Sequence, residues 1–443
     1  MRSVYLSARG YDSHFQEDSV GQNGPGGIIT KVGLDTFVDP RLSGGKMNSL
    51  TREKGEDLIK LVEWQGETYL FYKRPMISTC VLSCSTADEK GNVTTEKELT
   101  PTGLSMAISC KTNGGRVIVQ VKRYTQAGTL NSRMVTIPHI FVDHVVLEKP
   151  EHRLFRQFPE WGLTELNPAW TGEIRVPLET LKPMPHGLEK VAARVALECI
   201  TPGSVVNFGF GLPSSVMYIA CTEENMMDLV TSALEIGIIG GVPGIEQQFA
   251  LCTNADAVIP SDYMFDNIWG GGIDHAFLSF GEIDEYGNVN VSRFGNAIIG
   301  PGGFIDISHN AKNLCFLGTF TSGVVEADCA QGQLKIRKDG TVLKFKKRVQ
   351  EITFNSRRAL SYGERRIRVA TERALFEVTE DGLILTKIAP GIDLEKDILE
   401  KMEFRPLISR DLKTLDHRIY RPEPIGIREK LLAERDEQKD SRP

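Results

Sequence analysis

One carboxylate stands out as a candidate for chemistry. Glu235 follows the apolar stretch Asp228–Leu234 and precedes Gly237, Gly240 and Gly241. If that stretch is a strand of an open parallel sheet, Glu235 stands at its carboxyl end, where ligands of such sheets bind. The glycines let a ligand approach the backbone and leave N–H groups free to donate. A carboxylate in that setting can serve as nucleophile or base. On residue type alone the alternative is a solvated loop glutamate, and the glycine setting puts the functional reading level with it.

Three glycine-rich turns could complete a site. Asn207-x-Gly209-x-Gly211-x-Pro213 joins a predicted strand, Ser204–Phe208, to a helix running from Pro213 to about Cys221. A helix N-terminus favours an anionic or carbonyl oxygen. The third glycine and the acidic ribose partner of a dinucleotide fingerprint are lacking. Gly270-Gly271-Gly272 and Gly300-Pro301-Gly302-Gly303 follow. Paired N–H groups at Gly302 and Gly303, ahead of a predicted helix, have the form of an oxyanion hole. A tight structural turn is the competing explanation for each. His275 and His309 lie near these loops without a partner at fixed spacing, and read as structural. No Ser/His/Asp order, nucleophile elbow or Walker loop is found.

The elements that must position these residues follow from patterning. Glu189–Ile200 has helical spacing with Ala193, Ala196, Leu197 and Ile200 on one face. With Ser204–Phe208, the helix after Pro213 and Asp228–Leu234, this predicts a βαβ unit and a parallel, doubly covered sheet. There is also an internal repeat. Leu82-Ser83, Asp88-Glu89 and Gly91-Asn92-Val93 recur without a gap as Leu278-Ser279, Asp284-Glu285 and Gly287-Asn288-Val289. Apolar strands follow both blocks, at Val117–Val121 and Leu314–Leu317. A shared turn motif could arise by chance, but the matched flanks favour duplication. The expected fold is α/β, with two similar open domains of mostly parallel sheet.

The counterpart of Ser204–Thr222 in the first half is Ala8–Gly26, which has no apolar strand and no glycine turn. The first domain is therefore expected to be incomplete at its start. The expected division is an N-terminal domain over 1–165, a linker over 166–188 rich in proline, a C-terminal catalytic domain over 189–424 and a charged tail over 425–443. Asp339-Gly340 and Asp381-Gly382 each predict a β-hairpin. Asp393–Met402 predicts an amphipathic helix capped by Asp393.

Composition narrows the function classes. The chain has 443 residues, 41% hydrophobic and 25% charged, as in ordinary globular proteins. Net charge is −6, which argues against a nucleic-acid-binding field. The eight cysteines form no C-x-x-C pair, and suggest reduced thiols in a cytoplasmic protein and no metal site. The uncharged run Cys199–Thr222 is broken by Pro202, Gly203, Asn207, Gly209, Gly211 and Pro213, so no membrane span is expected.

Taken together, the chain resembles the family I CoA-transferases of the acetate/propionate type. The resemblance rests on GGIITKVGLDTFVDPRLSGGKMN, EDLIKLVEW, NFGFGLP, ALEIGIIGG, GGGIDHAFLSFGEIDEYGNV, IIGPGGFIDIS and TERALFEVTEDGLILTKIAPGIDLEKDIL. It implies two similar α/β domains with the active site between them. Glu235 would be the nucleophile and Gly302 or Gly303 an oxyanion donor. Asn207, Gly209, Gly211, Gly237, Gly271 and Gly272 would border the acyl and CoA site. The partners implied are an acyl-CoA and a short-chain carboxylic acid such as acetate or propionate. Coenzyme A is implied as substrate, with no permanently bound cofactor and no metal. A homo-oligomer is expected. Relatives carry an opening strand, glycine loop and helix before GGIITKVG, with an oxyanion-holding glutamine. This chain is expected to lack them. Two other functions compete: a truncated, non-catalytic paralogue acting as a binding or assembly partner, and an acyl-CoA hydrolase.

Overall fold

The computed structural model describes residues 26–149, 167–245 and 248–440. A small antiparallel sheet comes first, from β1 (Gly27–Thr30), β2 (Ile59–Trp64) and β3 (Glu67–Lys73), in the order β1-β3-β2. A five-stranded sheet follows. Its strands are β4 (Thr79–Asp88), β5 (Val93–Thr94), β6 (Arg116–Thr125), β7 (Val135–Ile137) and β8 (His144–Leu147), ordered β7-β5-β4-β6-β8. Strands β4, β6 and β8 are parallel. Helix α1 (Leu104–Thr112) crosses from β4 to β6 and buries Ala107 and Cys110 against Cys84, Val117, Val119 and Val121. The other face of this sheet is open, with Val81 67% and Val146 48% exposed.

The second half is built around α2 (Leu188–Leu197), β9 (Val205–Phe208), α3 (Leu212–Thr222), β10 (Thr231–Ser232), α4 (Ser261–Trp269), β11 (His275–Ser279), α5 (Phe304–Asn310), β12 (Asn313–Leu317) and β13 (Ile367–Ala370). It ends with β14 (Ala374–Thr379), β15 (Gly382–Ile388), β16 (Leu407–Thr414) and α6 (Ile427–Asp440). The sheet order is β10-β9-β11-β12-β13-β14-β15-β16, parallel from β10 through β13. The predicted βαβ unit is present, but its second strand is Thr231–Ser232, shorter than Asp228–Leu234. Asp228 instead faces Arg428 in an ion pair, and Leu229 and Val230 sit in a turn closed onto Met226.

Helix α2 is buried on every side, beyond the single apolar face its spacing suggested. Lys190 and Arg194 are themselves buried and both reach Glu223, at 2.6 and 3.3 Å. Arg194 also donates to the carbonyls of Pro422 and Glu423. Those bonds fasten the chain end to the core. The carboxylate of Glu224 then accepts from the N–H groups of Ile425, Gly426 and Ile427, capping the start of α6. The expected charged tail is therefore a packed helix at its start, with Ile427 and Leu431 buried.

Two turn expectations need correction. Asp381-Gly382 does join an antiparallel pair, β14 and β15. Asp339-Gly340 does not. The segment Gln333–Lys338 before it pairs back with Glu326–Ala330, while Val342–Leu343 pairs with Thr321–Ser322. The tight hairpin is at Gln331-Gly332, where both residues have positive φ, 54° and 77°. Asp339 is drawn away to Arg373 and Lys401. In Asp393–Met402, Asp393 does cap Lys396 N at 2.8 Å. The turns it caps are a wide π-type turn at Leu394–Ile398 and a 3-10 turn at Leu399–Lys401, so no regular α-helix forms.

The repeat is structural. Asp88 Oδ1 accepts from the N–H groups of Lys90 and Asn92, and Oδ2 from Asn92 Nδ2. Asp284 makes the same three bonds with Tyr286, Asn288 and Asn288 Nδ2, at 3.1, 3.0 and 3.1 Å. Gly91 and Gly287 follow with φ of 90° and 83°. In each half a helix then returns the chain to a parallel strand, α1 to β6 and α5 to β12. Of Ala8–Gly26, the compared stretch of the first half, residues 8–25 lie outside those described, as do the end of the expected N-terminal domain and residues 441–443. Among the described residues, nothing in the first half corresponds to β9 and β10.

Both aspartates are buried, but opposite effects prevail on their carboxyls. Burial raises the Asp284 carboxyl above its ordinary pKa. Asp88 is also desolvated, but its bonds from Asn92 and Lys90 prevail and lower it. Asp284→Ala is expected to cost about 3 kcal/mol, since three partly buried donors lose their acceptor. Urea unfolding of the two alanine variants measures it. A loss under 1 kcal/mol for Asp284→Ala would contradict this account of the turn.

Candidate active site

The site is built on the short turn after β10. Leu234 N donates to Ile238 O and Gly237 N to Leu234 O, both at 2.9 Å, so Glu235 and Ile236 form the tip of a tight loop. Gly237 has φ of 106°, and a Cβ there would run into the carbonyl oxygen of Ile259. Gly241 is also in the left-handed region, with its missing Cβ facing the Thr253 carbonyl at 2.6 Å. The glycines beside Glu235 thus serve close backbone packing under the loop. That packing holds the carboxylate at the carboxyl rim of the sheet.

Asn207, fully buried near the end of β9, reaches across to this loop. Its Nδ2 donates to Ala233 O at 2.8 Å and lies 3.5 Å from Glu235 Oε2. Its Oδ1 has no hydrogen-bond partner. Desolvation raises the Glu235 carboxyl above its ordinary value; the backbone N–H of Glu235 and the Asn207 amide pull the other way. Just beyond, Gly209 N donates to Phe277 O at 2.8 Å, and Gly211, with φ of 81°, begins α3. Asn207, Gly209, Gly211, Glu235 and Gly237 therefore share one rim.

Sequence inspection missed the residues that hold the loop from the other side. Ser261, at the start of α4, donates from Oγ to Glu235 O at 3.0 Å, and its N–H donates to Thr102 Oγ1 at 3.1 Å. Asp262 is bonded to Ser105 at the start of α1. The first half thus touches the Glu235 loop through residues 102–105. The available signal was weak: Pro260-Ser261-Asp262 is an ordinary helix start.

Gly302 and Gly303 also come to this rim. Gly303 precedes α5, and its missing Cβ would lie 3.2 Å from the ring of Phe265, one turn of α4 beyond Ser261. Neither glycine N–H is engaged by an acceptor among the described residues. A Cβ at Gly302 would meet open space. Gly271 and Gly272 are not brought here. They end α4 at its far end, where Asp274 N meets Val205 O at the amino edge of the sheet. His275 is at that edge too, bonded to Thr201 Oγ1, and burial lowers it to about 4. His309 packs on the Tyr362 ring, 4.9 Å between centroids.

One further charge stands at the carboxyl edge of the sheet. Lys344 is buried, with Nζ 3.9 Å from the Phe280 ring centre and 2.5 Å from where a Gly318 Cβ would stand. Phe280 and Gly318 directly follow β11 and β12. Desolvation lowers Lys344 to about 8, with Glu372 nearby opposing the shift.

Comparison with known proteins places the chain in a family. The profile of the Coenzyme A transferase family matches residues 20–148. Caffeate CoA-transferase of Acetobacterium woodii is 41% identical, the match covering 90% of this chain and 76% of the relative. The chain belongs to the family I CoA-transferases. Acetate CoA-transferase YdiF of Escherichia coli K12 is 39% identical to this CoA-transferase, over 90% of this chain and 74% of its own. The crystal structure of the acyl-CoA transferase YdiF from Escherichia coli O157:H7, a thioester complex with CoA, superposes with a TM-score of 0.82. It is 36% identical, covering 96% of this chain and 75% of that one. The α/β fold with mostly parallel sheets is that of the family. No described helix is long and apolar enough to cross a membrane.

Two outcomes follow from this CoA-transferase's rim. Asn207→Ala removes the amide that lowers the Glu235 pKa, so the acidic limb of kcat/KM moves to higher pH; an unmoved limb contradicts the contact. Lys344→Met removes a charge whose folded pKa lies below its unfolded value of 10.5. In the wild type the cost of the charge is fully present below about pH 8 and disappears as pH rises to 10.5. The variant should be more stable at pH 7 by about 2 kcal/mol, and should lack that alkaline gain. Thermal unfolding between pH 7 and 10 checks both.

Proposed function

We propose that this enzyme moves CoA from a short-chain acyl-CoA to a carboxylic acid, with acetate or propionate as the type of acid, by ping-pong chemistry on Glu235. The observation that carries the proposal is a buried carboxylate at the carboxyl rim of the sheet, 3.5 Å from the Asn207 amide; Gly302 and Gly303, whose N–H groups have no acceptor among the described residues, lie at the start of the helix that packs on α4. A caffeate and an acetate CoA-transferase among the relatives support the same reaction class.

In the first step Glu235 attacks the thioester carbonyl. A C–O bond forms, the C–S bond breaks and CoA thiolate leaves, giving a mixed anhydride. The thiolate then attacks the glutamyl carbonyl and expels the first acid, leaving a glutamyl-CoA thioester. A second carboxylate repeats these steps in reverse. Each addition places negative charge on a carbonyl oxygen, which the glycine N–H groups at 302 and 303 would receive. The Asn207 amide orients Oε2, and Gly211, whose missing Cβ would meet open space, leaves room beside the rim. The raised pKa of Glu235 suits a nucleophile that must shed its solvent and then leave as part of an activated acyl group.

Incubation with acetyl-CoA is expected to give a protein adduct with the mass of CoA less one water, mapped to Glu235 and absent from Glu235→Ala. An adduct that persists in the alanine variant sinks the assignment. Acid-dependent exchange of CoA without net thioester loss identifies a transferase. Net thioester loss that is indifferent to added acetate identifies a hydrolase instead.

A further inference from the structure

The small antiparallel sheet of the first half ends in an open strand. β2 pairs with β3 from Ile59–Tyr72 to Trp64–Glu67, and no described strand lies on its other side. The bond from Lys73 N to Leu58 O fixes which peptide groups face β3. By alternation, those of Leu58, Lys60, Val62 and Trp64 face β3, and the N–H and C=O groups of Ile59, Leu61 and Glu63 point outward. Among the described residues, none bonds to these outward groups.

The edge is apolar as well as open. Leu58 is 55% and Leu61 39% exposed. Edge strands are ordinarily kept very short, broken by a bulge or proline, or strongly charged. β2 runs for six residues without proline, keeps an unbroken register with β3, and carries charge only at Lys60 and Glu63. Beside it lies a hollow of about 610 Å³ with Leu42, Ile59 and Leu61 among its walls. The loop bearing Leu42 is held to β2. Lys46 pairs with Asp57 at 2.6 Å, and a Cβ on Gly45 would stand 3.7 Å from Ile59 Cδ1.

We propose that β2 is an interface with a second copy of this chain, the two β2 strands pairing antiparallel across a two-fold axis at Leu61. Residues directly opposite in such a pair share a face of the sheet, so the axis must pass at a residue. That residue must have outward peptide groups, which leaves Ile59, Leu61 and Glu63. An axis at Leu61 uses all three. Leu61 exchanges both bonds with Leu61 of the partner subunit, and Ile59 does so with Glu63 of the partner subunit. An axis at Ile59 would need Asp57, before the strand begins, and one at Glu63 would need Gln65, whose φ of 50° already belongs to the turn.

The side chains agree with that register. Leu61 meets its own copy, Leu58 stands opposite Trp64 of the partner subunit, and Lys60 opposite Val62 of the partner subunit. Like charges are nowhere directly opposite. The two-fold puts both hollows on one face of the joined sheet, so Leu42, Ile59 and Leu61 of the two copies form one apolar strip. A foreign strand would have to supply the complement of this edge, whereas a second copy carries it already. The product is a continuous antiparallel sheet in which β2 is no longer an edge.

Sedimentation velocity of the full chain at micromolar concentration tests the pairing. The wild type is expected as an even-numbered assembly. Leu61→Pro removes the central outward N–H and no bond to β3. It should halve the sedimenting mass while the circular dichroism stays that of the wild type. A monomeric wild type overturns the proposal, as does an assembly whose mass Leu61→Pro leaves unchanged. A second variant reads the register without weakening the strand. Under mild oxidation Leu61→Cys should link two chains on a non-reducing gel, because the paired Cα atoms lie about 5.5 Å apart. Glu63→Cys should give no more than the wild-type background, its two copies standing about 13 Å apart along the strands. A link at Glu63→Cys alone, or at neither position, overturns the assignment.

Discussion

A buried amide spans the step between β9 and the loop that carries Glu235. Asn207 Nδ2 bonds the Ala233 carbonyl and lies within reach of the Glu235 carboxylate. The β9–β10 pairing is only two residues long. So short a ladder supplies little rigidity of its own, and a side chain completes it. The loop is then fixed from three directions: by Asn207, by Ser261 on α4, and by backbone packing at Gly237 and Gly241 too close for any Cβ. Chemistry at the rim depends on that fixation, because a nucleophile that must meet an acyl carbon gains from being held in place.

The two halves repeat one turn and one crossover but use them differently. In the second half the Asp284 turn follows a central strand, and β9, β11, β12 and β13 are largely buried. In the first half the same turn supports a smaller sheet whose core lies on one side. That half still reaches the Glu235 rim, since Thr102 and Ser105 contact the first residues of α4. It acts as a brace for the second half's helix.

Fold class and duplication were legible in the sequence because both rest on local chemistry. An Asp-x-x-Gly-Asn turn and an apolar strand keep their meaning wherever they occur. Glu235, Asn207, Gly209 and Gly211 were legible for the same reason, as residues at strand ends. What escaped was set by distant partners. Asp339-Gly340 has hairpin composition, yet Arg373 and Lys401 draw Asp339 into the core edge, and the hairpin forms at Gln331-Gly332. Gly271 and Gly272 resemble a ligand loop in composition, but α4 is nine residues long and carries them to the opposite edge of the sheet. Lys344 gave no sign at all. Its burial comes from Phe280 and Gly318, just past the ends of β11 and β12.

The open face of the five-stranded sheet has a practical consequence. Parallel sheets in soluble proteins are ordinarily covered on both faces, and among the described residues this one presents Val81 and Val146 to water. Such a surface adsorbs amphiphiles while the protein is fully native. An environment-sensitive dye of the anilinonaphthalene type will therefore fluoresce on the folded chain. Dye-based melting curves will start from a high baseline that reports this sheet, and unfolding is better followed through the protein's own tryptophan emission or its heat capacity.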